Sequence, residues 1–462
     1  MPARNQPLSH MPDQRALCPL IAHAAPDDVV AYRGGQPICA ARFLAEVTYL
    51  AAAWPAAGHI LNACRDRYRF AVGLAAAIYS NRISLLPSTH TPEVIRHLKG
   101  FAPDAICLSD DPACELALPL FHFPDRAASD ERVWPVPSIA ADQLVALVFT
   151  SGSTGVPVPH PKTWGRLVSC VKIEAERMSL TAGGPYTIVA TVPAQHMYGF
   201  ESSLLVALQS GNALCAERPF YPADIASVLA AAPAPRVLVS TPIHLRTLIA
   251  ANIALPPTKL ILSATAPLDE SLAREVEARY GAPLLEIYGS TETGQIASRR
   301  TTETAEWQLW PGVTIGMRED QAWVEGGHVE AATPMGDILE VTGTDRFLLH
   351  GRTADQVNIA GKRSSLSYLN HQLTSIPGVL DGAFFLRQGT PSAEIGVMRL
   401  AALVVAPSLD AKIIARQLRE RVDPAFLPRP LLLVPEIQRN ATGKLPRHVL
   451  QSLLPDDCPP DT

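Results

Sequence analysis

The sequence predicts an α/β protein: a large N-terminal domain of parallel or mixed sheets covered by helices, then a small, mobile α+β C-terminal domain. Three observations predict it. From about residue 140 onward, short β-branched runs alternate with helical stretches, the pattern of parallel strands joined by covering helices. Near residue 350 this alternation gives way to short strands and polar turns. The chain has 462 residues, too many for one ordinary hydrophobic core.

Taken in order, residues 1–15 carry Arg4 and Arg15 ahead of the apolar "ALCPLIAHAAP". Asp13 ahead of that run and Pro19 within it break the leader pattern, so it reads as an ordinary N-terminal segment and not as a leader. Residues 1–140 are Ala-rich, with helical stretches at 41–53 and 69–79. The longest apolar run, 70–79, falls well short of the ~20 residues that span a bilayer and suits a buried helix. "LVALVF" (144–149), "YTIVATV" (186–192), "RVLVS" (236–240), "KLILSA" (259–264) and "LLEIYG" (284–289) read as buried strands. The intervening "LDESLAREVEARYG" is a helix with Asp269 as its N-cap and Gly281 as its stop.

Beyond residue 350 come short strands in "DRFLLHGRTADQVNIAGKRSS", a helix in "LSYLNHQLTSIPGV", a strand in "LAALVVA", a helix in "LDAKIIARQLRERV" and then "PLLLVPEI". About 110 residues of this kind suffice for an independent domain. The expected division is 1–352 and 353–462, with a hinge at residues 351–355.

Composition narrows the function. Apolar residues make up 47% and charged residues 18%, a globular balance. A net charge of −5 offers no basic surface of the kind nucleic-acid binding needs. The eight cysteines include no C-x-x-C pair, which suits reduced thiols in a cytoplasmic protein. The thirteen histidines form no H-E-x-x-H pattern. No nucleic-acid or membrane partner is expected.

The chemistry starts at "LVFTSGSTGVPVPHPKTW", residues 147–164. A strand running into S-G-S-T-G fits a turn that holds an anion, because glycines allow close backbone approach and N–H and hydroxyl groups donate. It is not a Walker loop: G-x-x-x-x-G-K-[ST] is absent, and the later Gly443–Lys444 pair is followed by Leu445. The same composition also suits a plain surface turn. Downstream, "EIYGSTETG" (286–294) puts an aromatic, a glycine, hydroxyls and Glu292 at the end of an expected strand, where open α/β sheets hold ligands. "GD" (336–337), "HGRTADQVNIAGKR" (350–363) and "RNATGKLPR" (439–447) follow.

In this order and spacing, the five motifs resemble the adenylate-forming superfamily of acyl- and aryl-CoA synthetases, peptide-synthetase adenylation domains and luciferases. The likeness spans roughly residues 30–450. It implies that a carboxylate attacks the α-phosphate of ATP, giving an acyl-adenylate and pyrophosphate, by positioning and electrostatics. By resemblance, Thr150, Ser151, Gly152, Ser153, Thr154 and Gly155 cradle the β- and γ-phosphates. Tyr288, with Gly289 beside it, lies against the adenine, and Thr291 reaches the α-phosphate. Glu292 matches the magnesium ligand, and Asp337 and Arg352 match the residues that hold the ribose. Lys444 bridges the attacking carboxylate and the α-phosphate as a mobile point charge. Gly361 matches the glycine beside which a pantetheine arm passes when the small domain rotates. The charged residue usual two places after the arginine of "GR" is here Ala354, with Asp355 next, which leaves the pivot open.

The acid pocket is expected between residues 194–202, 240–245, 263–267 and the start of "YGSTE". His196 takes the gate position, and Tyr198, Gly199, Thr241, Ser263, Ala264, Gly289 and Ser290 shape the cavity. No Asp in "PAQHMYGF" is placed to capture an amino-acid ammonium. "TSGSTGVPVPHPKTW" with "QHMYGFE" resembles the stand-alone acyl-AMP ligases of xanthomonadin and aryl-polyene pigment clusters. That implies a hydroxybenzoate-type small aromatic acid loaded onto the phosphopantetheine of an acyl carrier protein, with CoA as another acceptor. A fatty-acyl ligase and a non-catalytic nucleotide- or adenylate-binding docking module remain alternatives. Most members of the superfamily place a lysine where Val158 stands. Two readings of Lys162 stay open: it reaches back to the phosphates, or it is a solvated side chain starting the helix "KTWGRLVSCV".

Overall fold

The computed structural model describes residues 16–124, 133–151, 157–319, 321–352, 356–359, 362–387, 399–437 and 439. Two large sheets stack with a layer of helices between them. The smaller runs Pro157–Thr163, Leu144–Ser151, Ile83–Leu86, His59–Asn62, Ile106–Ser109, Leu120–His122. Its neighbours are parallel except for the first pair, which is antiparallel. The larger sheet has eleven strands around a parallel run of Ala213–Cys215, Thr187–Ala190, Arg236–Ser240, Leu260–Ser263 and Leu284–Ser290. Past Leu284–Ser290 it turns antiparallel through Gly294–Arg299, Trp307–Leu309, Arg346–Arg352 and Asp337–Val341.

Strand alternation assigns the faces. Ile188, Val237 and Leu262 share one apolar cluster with Ile60, Leu108 and Val145 of the smaller sheet. Phe43, Phe70 and Trp164, from the helices Ala40–Ala53, Arg67–Tyr79 and Trp164–Arg177, fill the space between. On the far face of the larger sheet, Val189, Leu238 and Ile261 meet Leu229, Leu245 and Val276 of the helices Pro222–Ala231, Pro242–Ala250 and Glu270–Tyr280. The helix Pro92–Phe101 covers the outer face of the smaller sheet through Ile95 and Leu98.

The caps read from sequence stand where expected. The Asp269 carboxylate accepts from the amides of Ser271 (2.8 Å) and Leu272 (3.4 Å), and Gly281, at φ 63°, closes the same helix. One element differs. The helix expected from Lys162 starts instead at Trp164, and Pro157–Thr163 is an edge strand. Pro157, Pro159 and Pro161 occupy alternate positions, opposite Ser151, Phe149 and Leu147. Their missing N–H groups are those that would face solvent, so an edge strand tolerates all three, whereas a helix would not.

In the C-terminal part, Asp381–Arg387 pairs antiparallel with Arg399–Val405, and Leu431–Leu433 pairs parallel with the latter. Leu369 and Leu373 of the helix Leu366–Thr374, and Ile414 and Leu418 of Ala411–Arg419, pack there with Phe384 and Ala402. Among the described residues, no apolar cluster mixes side chains before residue 350 with side chains after residue 356. The two parts meet at His371 Nδ1, 2.9 Å from Asp269 Oδ2, beside a cleft of about 700 Å³ lined from both sides. No described helix is long and apolar enough to cross a membrane.

Candidate active site

Three of the parallel strands of the larger sheet end in serine, Ser240, Ser263 and Ser290, at the edge where open α/β sheets bind ligands. Register places Ser240 beside Ser263, and Ser263 beside Glu286. Ser263 is 0% exposed, and its Oγ has no hydrogen-bond partner among the described residues. Thr191 and Thr241 each hold an Oγ1 3.0 Å from His244 Nδ1. Burial lowers the His244 pKa to about 4, so this ring is neutral at pH 7. Sequence reading missed His244; its place in the first turn after the strand Arg236–Ser240 is the signal that identifies it.

Around these groups, Tyr198 and Ala264 are buried, and His196, half-buried, caps the short helix Met197–Gly199. Burial pushes the Tyr198 phenol well above its ordinary value. Gly199 shapes the site through packing: a Cβ there would lie 2.1 Å from the Pro193 carbonyl oxygen.

The turn between Leu284–Ser290 and Gly294–Arg299 carries Thr291 and Glu292 at its tip. It is closed reciprocally: the Ser290 amide donates to Thr293 Oγ1 (3.2 Å), and the Thr293 amide donates to Ser290 Oγ (3.2 Å). Gly289 sits at a bulge, where a Cβ would meet the Gly294 carbonyl at 2.2 Å. Gly294 has φ 73° and leaves only 2.9 Å between a Cβ and Glu201 Oε1. Close backbone approach fixes Gly289, and the left-handed φ together with the Glu201 carboxylate fixes Gly294.

Three other expected residues converge on one corner. The Tyr288 hydroxyl donates to Asp337 Oδ2 at 2.6 Å, and its ring packs 5.4 Å from Trp307 and 5.6 Å from Phe347, centroid to centroid. Asp337 pairs across the sheet with Arg352.

On the smaller sheet, Thr150, the last but one residue of its strand, has Oγ1 2.9 Å from His160 Nε2. The same His160 nitrogen lies 3.6 Å from Glu292 Oε1. Burial lowers the His160 pKa, the Glu292 charge opposes that shift, and Lys162 reinforces it. His160 was not identified from the sequence. Ser151 closes the strand, while Gly152, Ser153, Thr154, Gly155, Gly361 and Lys444 lie outside the described residues. The solvated reading of Lys162 is wrong. Its side chain is 3% exposed, and Nζ donates to the main-chain carbonyl of Glu292 at 3.1 Å.

Beneath the turn lies a polar layer with no counterpart in the expected site. Glu201, 1% exposed on the π-helical stretch Phe200–Leu205, accepts from the Cys170 thiol at 3.2 Å. Gln295 Nε2 donates to Glu174 Oε2 (3.2 Å) and Ser202 Oγ (2.8 Å), and the Gln295 carbonyl lies 2.7 Å from His328 Nε2. Burial raises the Glu174 pKa to about 8 and the Glu201 pKa to about 7; in Glu201 the Lys162 charge opposes the rise. Burial lowers the Lys162 pKa, with Glu201 foremost among the groups that oppose it.

This geometry has relatives. Residues 46–324 match the family model described as AMP-binding enzyme. A 4-coumarate–CoA ligase of Rhodobacter capsulatus is 32% identical over 283 residues, covering 60% of this chain and 69% of that protein. A 4-chlorobenzoate–CoA ligase of an Arthrobacter species is 23% identical over 349 residues, covering 66% and 65%. The o-succinylbenzoate CoA synthetase of Bacillus subtilis, solved with its acyl-adenylate intermediate, superposes with a TM-score of 0.78 at 16% identity, over 94% of this chain and 98% of that one. The fold, the hydroxyl-lined strand ends and the matched sequence agree: this chain belongs to the AMP-binding enzyme family of adenylate-forming acid ligases.

Proposed function

We propose that the protein activates a hydroxybenzoate-type aryl acid with ATP and passes it to the phosphopantetheine thiol of an acyl carrier protein. A carboxylate oxygen attacks the α-phosphorus of ATP; the bond to the α–β bridging oxygen breaks, and pyrophosphate leaves with its electron pair. The thiol then gives its proton to solvent, its sulfur attacks the acyl carbon, and AMP leaves. Thr150 and the 151–155 loop hold the outer phosphates, Tyr288 and Asp337 with Arg352 hold the nucleoside, and Thr291 meets the α-phosphate. Glu292 is a hard oxygen donor at the turn tip, which suits a magnesium ion that keeps water and phosphate oxygens as its other ligands. Such an ion would neutralise phosphate charge. Lys444, carried by the small domain (residues 353–462), supplies charge at the reacting phosphate, and Gly361 borders the thiol's path.

The observation that carries the aryl reading is the neutral His244 ring at the strand ends, held 3.0 Å from the Thr191 and Thr241 hydroxyls, with Thr241 bordering the cleft. Polar groups of this kind suit a ring hydroxyl at the end of a short pocket. The Cβ direction of Gly199 is filled by the Pro193 carbonyl, which supports a short pocket over a fatty-acyl tunnel there. The names of the coumarate and chlorobenzoate ligase relatives support the same substrate class.

The test is acid-dependent ATP–pyrophosphate exchange over benzoate, 3- and 4-hydroxybenzoate and a fatty-acid series, followed by transfer to a carrier protein or to CoA. Exchange is expected to be strongest with a hydroxybenzoate and to vanish in Lys444→Ala. Preference for a long fatty acid, or full exchange in that variant, sinks the reading.

A further inference from the structure

The loop at residues 151–155 has no lysine after its proline, and the nearest one, Lys162, is turned into the protein. Alternation places Val158, His160 and Lys162 on the same side of the edge strand. His160 lies 3.6 Å from the Glu292 carboxylate, and Lys162 holds the Glu292 carbonyl at 3.1 Å. One strand therefore reaches the turn twice, at its side chain and at its main chain, while the same His160 touches Thr150 at the base of the loop.

We propose that Lys162 is a positioning residue. From inside the protein, its ammonium fixes the main chain of the 290–294 turn, and so sets where Thr291 and Glu292 stand relative to the phosphate loop. This rests on the reading that Glu292 faces the nucleotide's phosphates. The carbonyl of Glu292 is held by a charged donor, and such bonds are about twice as strong as neutral ones. Glu201, the foremost carboxylate acting on that charge, borders the Cβ direction of Gly294, so the donor and the turn's last residue share one buried support. Three prolines at alternate positions restrict the strand that carries Lys162, which favours a fixed donor over a reaching one. Lys162 acts on the phosphates through Glu292 and not by contact.

The experiment uses the full chain in four forms: wild type, Lys162→Arg, Lys162→Met, and Lys162→Met with Glu201→Gln. The last removes both charges and guards against simple misfolding. Hydrogen–deuterium exchange of a peptide covering residues 288–296 is read without metal or nucleotide, beside the thermal midpoint. Steady-state pyrophosphate exchange then gives kcat and the KM for ATP separately. Lys162→Met and the double variant should speed amide exchange in that peptide about tenfold or more and lower kcat by a similar factor. Lys162→Arg should recover most of both. The double variant should regain the wild-type midpoint without regaining kcat. A double variant with wild-type amide exchange and kcat overturns the proposal. A raised KM for ATP at unchanged kcat and unchanged amide exchange also overturns it and makes Lys162 a direct phosphate ligand. If the wild type shows no acid-dependent exchange, the proposed function fails, yet the amide-exchange arm still decides whether Lys162 holds the turn.

Discussion

Glu174 offers the sharpest quantitative test. Its carboxyl is fully buried on the helix Trp164–Arg177, accepts one hydrogen bond from Gln295, and has a pKa raised from 4.5 to about 8 by burial and by the charge of Glu201. The folded-state pKa lies above the unfolded one, so the folded chain keeps a proton that the unfolded chain has already released. This contribution to stability is present below about pH 4.5 and is lost as the pH rises toward about 8. Each pH unit costs roughly 1.4 kcal/mol, and three units, from about pH 5 to pH 8, remove about 4 kcal/mol. Glu174→Gln keeps the shape and an acceptor for Gln295 but cannot ionise. Urea unfolding followed by tryptophan fluorescence should give equal stabilities near pH 5. At pH 8 the variant should be ahead by about 2–4 kcal/mol, with the slope that remains coming from Glu201. Parallel stability curves for the two proteins would refute a proton held on Glu174.

Three further outcomes follow from the site's geometry. Asp337→Ala removes the acceptor of the Tyr288 hydroxyl and should raise the KM for ATP about tenfold. Tyr288→Phe, which keeps the ring against Trp307 and Phe347, should cost less, as pyrophosphate exchange at varied ATP will read. Gly199→Ala forces a methyl to within 2.1 Å of a main-chain oxygen, which has little room to yield, and should cost about 3 kcal/mol or more. It is expected to express poorly or to melt at least about 3 °C below wild type by calorimetry.

The parts of the molecule legible in the sequence are those where local chemistry and tertiary structure agree. Asp269 and Gly281 frame a helix because a carboxylate caps free amides and glycine tolerates a left-handed φ, and both facts are local. The strand ends that carry Ser263 and Ser290 followed from β-branched runs of the right length. Pro157–Thr163 was illegible as a strand, because proline argues against strands until the partner is known; only an edge position with this register accommodates it. Glu174 and Glu201 were missed because charged residues default to the solvent face. Glu174 did leave a signal: it continues the buried positions Leu167, Val168 and Val171 at helical spacing. His160 and Lys162 become meaningful only through contacts some 130 residues away, which no local pattern encodes.

The edge strand has one more consequence, for the protein's behaviour in a crowded solution. An exposed sheet edge with free N–H groups is a template on which another chain can add a strand. Along Pro157–Thr163, three outward positions are prolines and the Thr163 amide already donates to Glu330 Oε1 at 2.7 Å, so a visiting strand finds no donors there. At the opposite edge, Leu120–His122 is only three residues long and gives little purchase. Replacing the prolines to loosen the 151–155 loop would therefore also expose a sticky edge, and intermolecular pairing would compete with any gain in turnover.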